Sequence, residues 1–415
     1  MTTKLLSELS LNISSGLTPL RGNAEFWENG TISWLKTEQL GEKYIYETNE
    51  HISKAALEKT SIKLFPENSL SIAMYGEGKT RGNLSILKKA MATNQACCNV
   101  AIDPDKADFE YVYYFLKTQY DELRNLSSGV RKNLNSNDIK NYPIRLPDNL
   151  TSQKKIASVL KALDKKIELN SRINNELEAM VKTLYDYWFV QFDFPDDNGR
   201  PYKTSGGDMI YSDELKRNVP KGWVVEPISH IMKVKDGTHE SPKQKEAGFP
   251  LITSKHLLKK GIDFDNAYLI SKEDYEAVNK RSKVETNDIL FSMIGSIGEV
   301  YKVDEKYINF AIKNVALYKS SSNPEIVNFI YMYLKSHDMK RYMANVTKGS
   351  IQKFIGLGSL REMPLLISDE IIKIYVSTTK HSFDQMTIVK RENQELVALR
   401  DWLLPMLMNG QVTVK

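Results

Sequence analysis

The sequence predicts an α+β chain of two tandem, mixed α/β domains, each followed by one long helix. Three observations predict it. The length, 415 residues, is that of two domains or three. One set of phrases is written twice in the same order, at a nearly constant spacing of roughly 220 residues. Each copy then closes on a run whose apolar residues recur at alternating steps of three and four, the period of a helix packed along a seam.

The repeat rests on a chain of matches. Arg172-Ile-Asn174-Asn-Glu176-Leu177-Glu-Ala179 answers to Arg391-Glu-Asn393-Gln-Glu395-Leu396-Val-Ala398. "YYFLKT" (Tyr113 to Thr118) answers to "YMYLKS" (Tyr331 to Ser336), and "SWLKTEQL" (Ser33 to Leu40) to "PLITSKHL" (Pro250 to Leu257). Asn99-Val100-Ala101 pairs with Asn314-Val315-Ala316, Gly129 with Gly349, and Tyr142-Pro143-Ile144 with Met363-Pro364-Leu365. The expected layout is a first domain over 1–150, a central helix over 151–192 and a connector over 193–217. A second domain over 218–368 and a C-terminal helix over 369–415 complete it.

Within each domain, short β-rich runs such as Ser71–Tyr75 and Ile289–Met293 stand between Gly, Asn and Asp turns. Short helices are expected around Glu110–Lys117 and Val327–Lys335. The central helix is more sharply marked. Ile156, Leu160, Leu163, Ile167, Asn170, Asn174, Leu177, Val181, Leu184 and Trp188 trace a coiled-coil stripe, with Thr151-Ser152 as its expected N-cap. Phe383, Met386, Val389, Asn393, Leu396, Leu399, Leu403 and Met406 or Leu407 trace the second. A buried Asn weakens such a seam but fixes its register, and Asn174 and Asn393 hold equivalent places.

Composition narrows the class. Hydrophobic residues make up 41% and charged residues 26%, enough for ordinary cores. No apolar run approaches a membrane span and the start has no secretory core, so a cytoplasmic chain is expected. Cys97 and Cys98 are neighbours, which disfavours a bridge between them and fits a reducing compartment. The six histidines lack metal-ligand spacing, so no metal site is expected. A net charge of +5 with 21 tyrosines is compatible with nucleic acid without demanding it.

Three stretches imitate enzymes. "AMYGEGKT" (Ala73 to Thr80) ends like a phosphate-binding loop, but such a loop must open into a helix whose first amides hold the phosphate. Thr80 is instead followed by Arg81-Gly82-Asn83, a poor helix start, and the second copy, Met293-Ile294-Gly295, has no Lys-Thr. A glycine turn between strands is the expectation. Pro147-Asp148 with Asp164-Lys165-Lys166, and Pro195-Asp196 with Glu214-Leu215-Lys216, mimic a metal-dependent nuclease. Asp164 falls on the long helix and the second set in the connector, where carboxylates do not converge on one Mg²⁺. Asn323-Pro324-Glu325-Ile326 lacks the second proline and aromatic of an adenine-methyltransferase site, and no Rossmann glycine loop accompanies it. No catalytic residue is assigned.

Taken together, the phrases resemble the specificity subunits of type I restriction–modification enzymes over nearly the whole chain. Those that carry the resemblance are "SSGLTP" (Ser14 to Pro19), "ISWLKTEQL", "AMYGEGKTRGNLSIL", "ATNQACCNVAI" and "LPDNLTSQKKIASVLKALDKKIE". The connector "FDFPDDNGRPYKTSGG" and "VPKGWVVEPI" leading to "KDGTHESPK" complete the set. The resemblance implies two target-recognition domains, each reading one half of a split, asymmetric sequence in double-stranded DNA. It implies that the two helices pack as an antiparallel coiled-coil spacer, and that the chain binds no cofactor and catalyses nothing. Its implied partners are two DNA-methyltransferase subunits, which use S-adenosylmethionine to modify adenine, and restriction/translocase subunits, which use ATP and Mg²⁺. The second helix departs from the pattern, with "IIKIYVSTTKHSFD" in place of "QKKIASVLKALDKK", which puts its packing and partner docking in question.

The DNA-facing candidates are loop residues able to grip bases or phosphates. In the first copy these are Tyr75, Lys79, Thr80, Arg81, Asn94, Gln95, Arg131 and Lys132. In the second they are Thr238, His239, Lys255, Ser292, Ser296, Lys348, Gln352 and Lys353. Asn94 and Gln95 have a competing role as loop braces, and His239 as a turn cap. A first helix about 50 Å long would hold the half-sites a helical turn or more of DNA apart.

Overall fold

The computed structural model describes residues 1–76, 80–126, 133–258, 261–349 and 353–414. Packing divides the chain into two units, Met1–Leu169 with Glu392–Lys415, and Asn170–Arg391. Each long helix therefore contributes to both units.

In the first unit, β1 (Thr2–Leu5) and β10 (Pro143–Leu146) pair antiparallel and tie the ends of the globular part together. The main sheet runs in the spatial order β2 (Ser10–Ser15), β9 (Cys97–Ile102), β6 (Leu70–Ala73), β7 (Leu84–Leu87) and β4 (Tyr44–Ile45). A smaller sheet orders β5 (Glu50–Ile52), β3 (Ile32–Leu35) and β8 (Ala92–Thr93), with β3 and β8 parallel. β6 and β7 are buried along their whole length, so they read as short apolar runs without alternation. Helix α1 (Lys54–Lys59) is capped by Ser53. Helix α2 (Phe109–Thr118), capped by Asp108, lays Tyr111, Val112, Phe115 and Leu116 into the core. After α3 (Tyr120–Asn125), α4 (Ser136–Lys140) opens with a capping box of Asn135 and Asp138.

The long helix α5 (Leu150–Tyr185) is capped by Asn149, whose Oδ1 accepts the Ser152 N–H at 2.7 Å. Thr151 and Ser152 lie inside its first turn. A cap must precede the helix to reach back to its third amide, so the expected cap is displaced to Asn149. Inside the globular part, Gln153 is almost wholly buried. Its Oε1 accepts from the Asp108 N–H and its Nε2 donates to the Pro147 carbonyl, both at 2.9 Å.

The second unit begins with the end of α5, a π-helical turn over Asp186–Val190, and the connector. The connector is not a loose tether. Phe194 stacks on Tyr202 and Trp223 at 4.6 and 5.0 Å, and β11 (Met209–Ser212) pairs with β12 (Arg217–Pro220). β13 (Val224–Pro227) pairs antiparallel with β23 (Pro364–Ile367), with α6 (Ile228–Ile231) following β13. The main sheet runs β14 (Val234–Asp236), β22 (Val315–Tyr318), β19 (Ile289–Ser292) and β20 (Val300–Lys302). A smaller one orders β18 (Leu269–Ile270), β15 (Phe249–Thr253) and β21 (Ala311–Lys313), with β15 and β21 parallel. β16 (Leu257–Leu258) pairs with β17 (Gly261–Ile262). Helices α7 (Lys272–Ser282), α8 (Val327–Leu334), α9 (His337–Val346) and α10 (Leu357–Arg361) pack around these sheets, and α11 (Asp369–Met408) is the second long helix.

The two topologies share a common core, to which the first unit adds β4 and the second the β16–β17 pair. The β1–β10 pair answers to β13–β23, the order β2-β9-β6-β7 to β14-β22-β19-β20, and β5-β3-β8 to β18-β15-β21. One sequence match fails. The Gly16 N–H bonds the Cys97 carbonyl and the Gly237 N–H bonds that of Val315, so Asn99 answers to Leu317 and not to Asn314. The Asn-Val-Ala pairing is an accident of composition, out of step by an odd number of residues. In a strand such a slip would turn every side chain to the wrong face.

Both units contain a stretch of helix pairing. In the first, Asp164 meets Arg400 at 3.1 Å and the Ile167 carbonyl accepts from Asn393 Nδ2 at 3.2 Å. One helix ascends as the other descends, which makes the pair antiparallel. Ile156 and Leu160 are buried and Leu163, Ile167, Leu396 and Leu403 half-buried along this seam. Leu399, expected in the seam, is 43% exposed, because the helical period brings Arg400 round to Asp164 in its place. In the second unit, Val181 and Phe383 are buried, and Asn174, Leu177, Leu184 and Met386 half-buried. The Tyr375 hydroxyl donates to the Val181 carbonyl at 3.2 Å. The divergent second helix keeps its packing by other means. Ile371, Ile372 and Tyr375 are buried, with Ile372 three residues into the helix, as Gln153 is in the first.

Candidate nucleic-acid interface

At one end of the first unit the tips of several strands are bound together. The Leu17 N–H donates to Thr93 O, Asn94 N–H to Leu35 O, Met74 N–H to Ala96 O, and Leu134 N–H to Met74 O, at 2.8–3.1 Å. The approach of the loop after β2 demands glycine. A Cβ on Gly16 would lie 2.1 Å from the Thr93 carbonyl oxygen, and one on Gly237 would lie 2.3 Å from that of Ile312. "SSGLTP" and "KDGTHE" owe their shared glycine to this contact.

Tyr75 is exposed at this end, just past β6. Thr80 and Arg81 are half-buried on the return into β7, which pairs antiparallel with β6. The stretch resembling a phosphate loop therefore runs from strand back to strand, with no helix after Thr80 to receive a phosphate. Asn94 Oδ1 accepts the Ala96 N–H at 3.1 Å, so its side chain shapes the turn. Gln95 is exposed and accepts a hydrogen bond from the Thr18 hydroxyl. Lys79, Arg131 and Lys132 lie outside the described residues. Lys36 and Arg21 were not singled out from sequence. Lys36 reaches Glu38 at 2.8 Å and Glu50 at 2.6 Å, which hold its ammonium above the usual lysine range. Arg21 sits over the Trp27 ring at 3.9 Å and pairs with Glu50. Both cations are tied to Glu50, which lies 14 residues from Lys36 and 29 from Arg21 in the chain, and no local pattern announces that link.

The second unit builds the same end from different residues. The Thr238 N–H donates to Ile312 O at 3.1 Å, Ile355 N–H to Met293 O at 3.0 Å, and Gly295 N–H to Lys353 O at 3.1 Å. Lys348 and Phe354 exchange backbone bonds at 2.9 Å. Thr238, His239, Ser296, Lys348 and Lys353 thus lie on loops of this end and Lys255 in the short 3₁₀ helix Ser254–His256, all exposed except the half-buried Thr238. Ser292 does not join them. It is fully buried, and its hydroxyl donates to the Ser296 carbonyl and accepts the Glu299 N–H at 2.8 Å. Its oxygen braces the β19–β20 turn and has no path to a groove. Gln352 lies outside the described residues. Ser254 and Asn314, which sequence reading missed, hold this end together. Ser254 Oγ donates to Asn314 O at 2.8 Å and accepts the Met293 N–H at 3.1 Å.

Two of the enzyme-like carboxylates, Asp164 and Asp196, are spent on structure. Asp164 pairs with Lys43 at 3.1 Å and with Arg400, and Asp196 accepts from the Asn198 and Arg200 amides at 2.9 and 2.8 Å. Cys97 and Cys98 are buried free thiols, and burial pushes both up to about 12, far from a reactive thiolate. The Lys, Thr, Gln and His side chains at the loop ends suit phosphate and base-edge contacts.

A chain that builds one loop-bearing domain twice, from unlike residues, belongs to the class of two-part recognition proteins. The family model described as "Type I restriction modification DNA specificity domain" matches it over residues 5–179 and again over 220–396. The chain belongs to that family, and as a specificity subunit it recognises DNA sequence and is itself non-catalytic. Among its relatives is the type I restriction enzyme MjaIX specificity subunit of Methanocaldococcus jannaschii. The two are 26% identical over 418 residues, 97% of this chain and 91% of the relative. The HindI specificity subunit of Haemophilus influenzae is 23% identical over 343 residues, 69% of this chain and 72% of its own. The fold resembles the crystal structure of a type I restriction–modification S subunit from M. genitalium, with a TM-score of 0.52 and 19% identity. That likeness covers 98% of this chain and 95% of the other. Among the described residues, no helix is long and apolar enough to cross a membrane.

Proposed function

We propose that this chain reads an asymmetric, bipartite site in double-stranded DNA, one half-site through the loop end of each unit. In this reading two DNA-methyltransferase subunits use S-adenosylmethionine to modify adenine at the site it selects. Restriction/translocase subunits use ATP and Mg²⁺ to cut, and the complex works in the cytoplasm. In this reading the domains span 1–150 and 218–368, with the long helices as spacer and 193–217 as connector. One observation carries the reading: the same strand tips, held by equivalent backbone bonds, present Tyr75, Arg81 and Gln95 in one unit and His239, Ser296, Lys348 and Lys353 in the other. A shared scaffold with unlike side chains is what two different half-sites require.

The test is Arg81→Ala in the chain assembled with its methyltransferase. Binding to duplexes altered in the first half-site should lose discrimination by about 1–3 kcal/mol if Arg81 meets a base. A uniform loss with a shallower salt slope would make it a phosphate contact instead. In both cases the second half-site keeps its selectivity. Equal loss of selectivity at both half-sites would refute the division of labour between the units.

A further inference from the structure

We propose that Asn314 is a base-reading residue of the second unit, and that His239, Asp236 and Arg281 position it. The inference rests on the reading of this loop end as a DNA face, and names the side chain that specifies a base there.

Asn314 stands between β21 and β22, where the backbone leaves the smaller sheet for the larger, with φ at 51°. That left-handed conformation suits Asn or Gly. Its backbone is fastened on both sides, the N–H to the Thr238 carbonyl at 3.2 Å and the carbonyl to Ser254 Oγ at 2.8 Å. Because Ser254 also receives the Met293 amide, Asn314 marks the point where the loops after β14, β15 and β19 converge.

The side chain is held separately. His239 Nδ1 lies 2.7 Å from Asn314 Oδ1, and its Nε2 lies 2.9 Å from Asp236 Oδ2. The His239 ring thus bridges the carboxamide of Asn314 and the carboxylate of Asp236. Asp236 is 4% exposed and takes the Arg281 guanidinium on its other oxygen. A turn alone would be served by glycine. Placing a carboxylate out of water and chaining it through an imidazole fixes the carboxamide, not the backbone. The carboxamide oxygen keeps a second lone pair, and among the described residues its amide nitrogen donates to no acceptor. A carboxamide presented in this way matches the N6 and N7 edge of adenine in the major groove. In the corresponding turn of the first unit, the Asn94 carboxamide is taken up by the Ala96 N–H. There Gln95, held by the Thr18 hydroxyl, occupies a turn that is longer by one residue, as two unlike half-sites would need.

The experiment uses the chain assembled with its methyltransferase and a panel of duplexes in which each base pair of both half-sites is changed in turn. Asn314→Gly keeps the left-handed backbone and removes only the side chain. The expected result is a loss of about tenfold or more in discrimination at a single A·T pair of the second half-site, with every other position unchanged. His239→Ala should relax the same position partially. A purely structural role would weaken all positions alike, and that outcome would overturn the proposal. So would full retention of discrimination in Asn314→Gly. Lys348→Ala with Lys353→Ala separates the two levels of inference. If these lysines weaken binding while Asn314→Gly relaxes no position, the Asn314 assignment alone falls. If neither change affects binding, this end is not a DNA face, and both fall.

Discussion

Replacing Phe189 by Ala should lower the unfolding free energy of the second unit by about 3–5 kcal/mol, the range for a large aromatic removed from a closed core. Phe189 lies in the π-helical turn that ends the first long helix and is 4% exposed. Its ring centroid lies 5.1 Å from Tyr185, 4.8 Å from Phe329, 5.3 Å from Tyr375 and 5.7 Å from Trp223. These rings come from α5, α8, α11 and the segment after the connector. One truncation therefore strips contacts from four separate elements of the core, and its rigid neighbours collapse poorly into the gap. Chemical denaturation followed by the fluorescence of Trp188 and Trp223 reads the change. Phe189→Leu, which keeps most of the volume, should cost under about 1.5 kcal/mol. Equal losses for Ala and Leu would contradict this expectation, because they would show that restoring the volume recovers none of the stability lost with the ring.

Glu110→Ala should cost the first unit a similar amount, about 3–5 kcal/mol, by a different route. Glu110 accepts from the Tyr44 hydroxyl at 2.8 Å and pairs with Lys43 at 2.8 Å and Lys161 at 3.0 Å. Lys43 turns also to Asp164 at 3.1 Å, and Asp164 to Arg400 on α11. The side chains of Glu110 and Lys43 are 5% and 11% exposed, so removing one charge leaves its partner out of water and under-compensated. The network also dictates a pH response. Burial alone would raise the Glu110 carboxyl, but Lys43, Tyr44 and Lys161 outweigh it and hold the group below its ordinary value of 4.5. A depressed folded value means that the contribution is full above 4.5 and lost as pH falls through the folded value. Glu110→Gln keeps the shape, so its stability should fall less steeply below that point than the parent's. Thermal unfolding across an acid series measures this, and parallel curves for the two would contradict the assigned role of Glu110.

Much of this organisation was legible in the sequence, and the reasons differ by element. The long helices, α2 and α8, and strands β6 and β19 each bury a local pattern against a core, so periodicity alone reveals them. The duplication was legible because both copies solve one packing problem, down to Gly16 and Gly237 beneath a neighbouring carbonyl. What escaped was long-range or of single-residue precision. The Asn99 match failed because composition does not encode register, and Leu399 gave way to Arg400 because a charged partner, Asp164, waits across the seam. Ser292 looked like a DNA-facing hydroxyl although it stands inside the β-rich run Ile289–Met293, and as the last residue of β19 its side chain turns into the core. Asn314 was overlooked because its importance comes from Thr238, His239 and Ser254, none of them adjacent in sequence. The aromatic cluster of the connector was hidden among polar turn residues for the same reason.

The central claim is that two unlike readers share one chain and leave the chemistry to partners. Its most direct test is sequencing of methylated adenines in cells that express the methyltransferase with a hybrid of this chain. In the hybrid, the first globular part is replaced by that of a relative. The account predicts a motif in two pieces in which one piece changes while the other piece and the gap persist. A contiguous motif, or one in which both pieces change together, would contradict it.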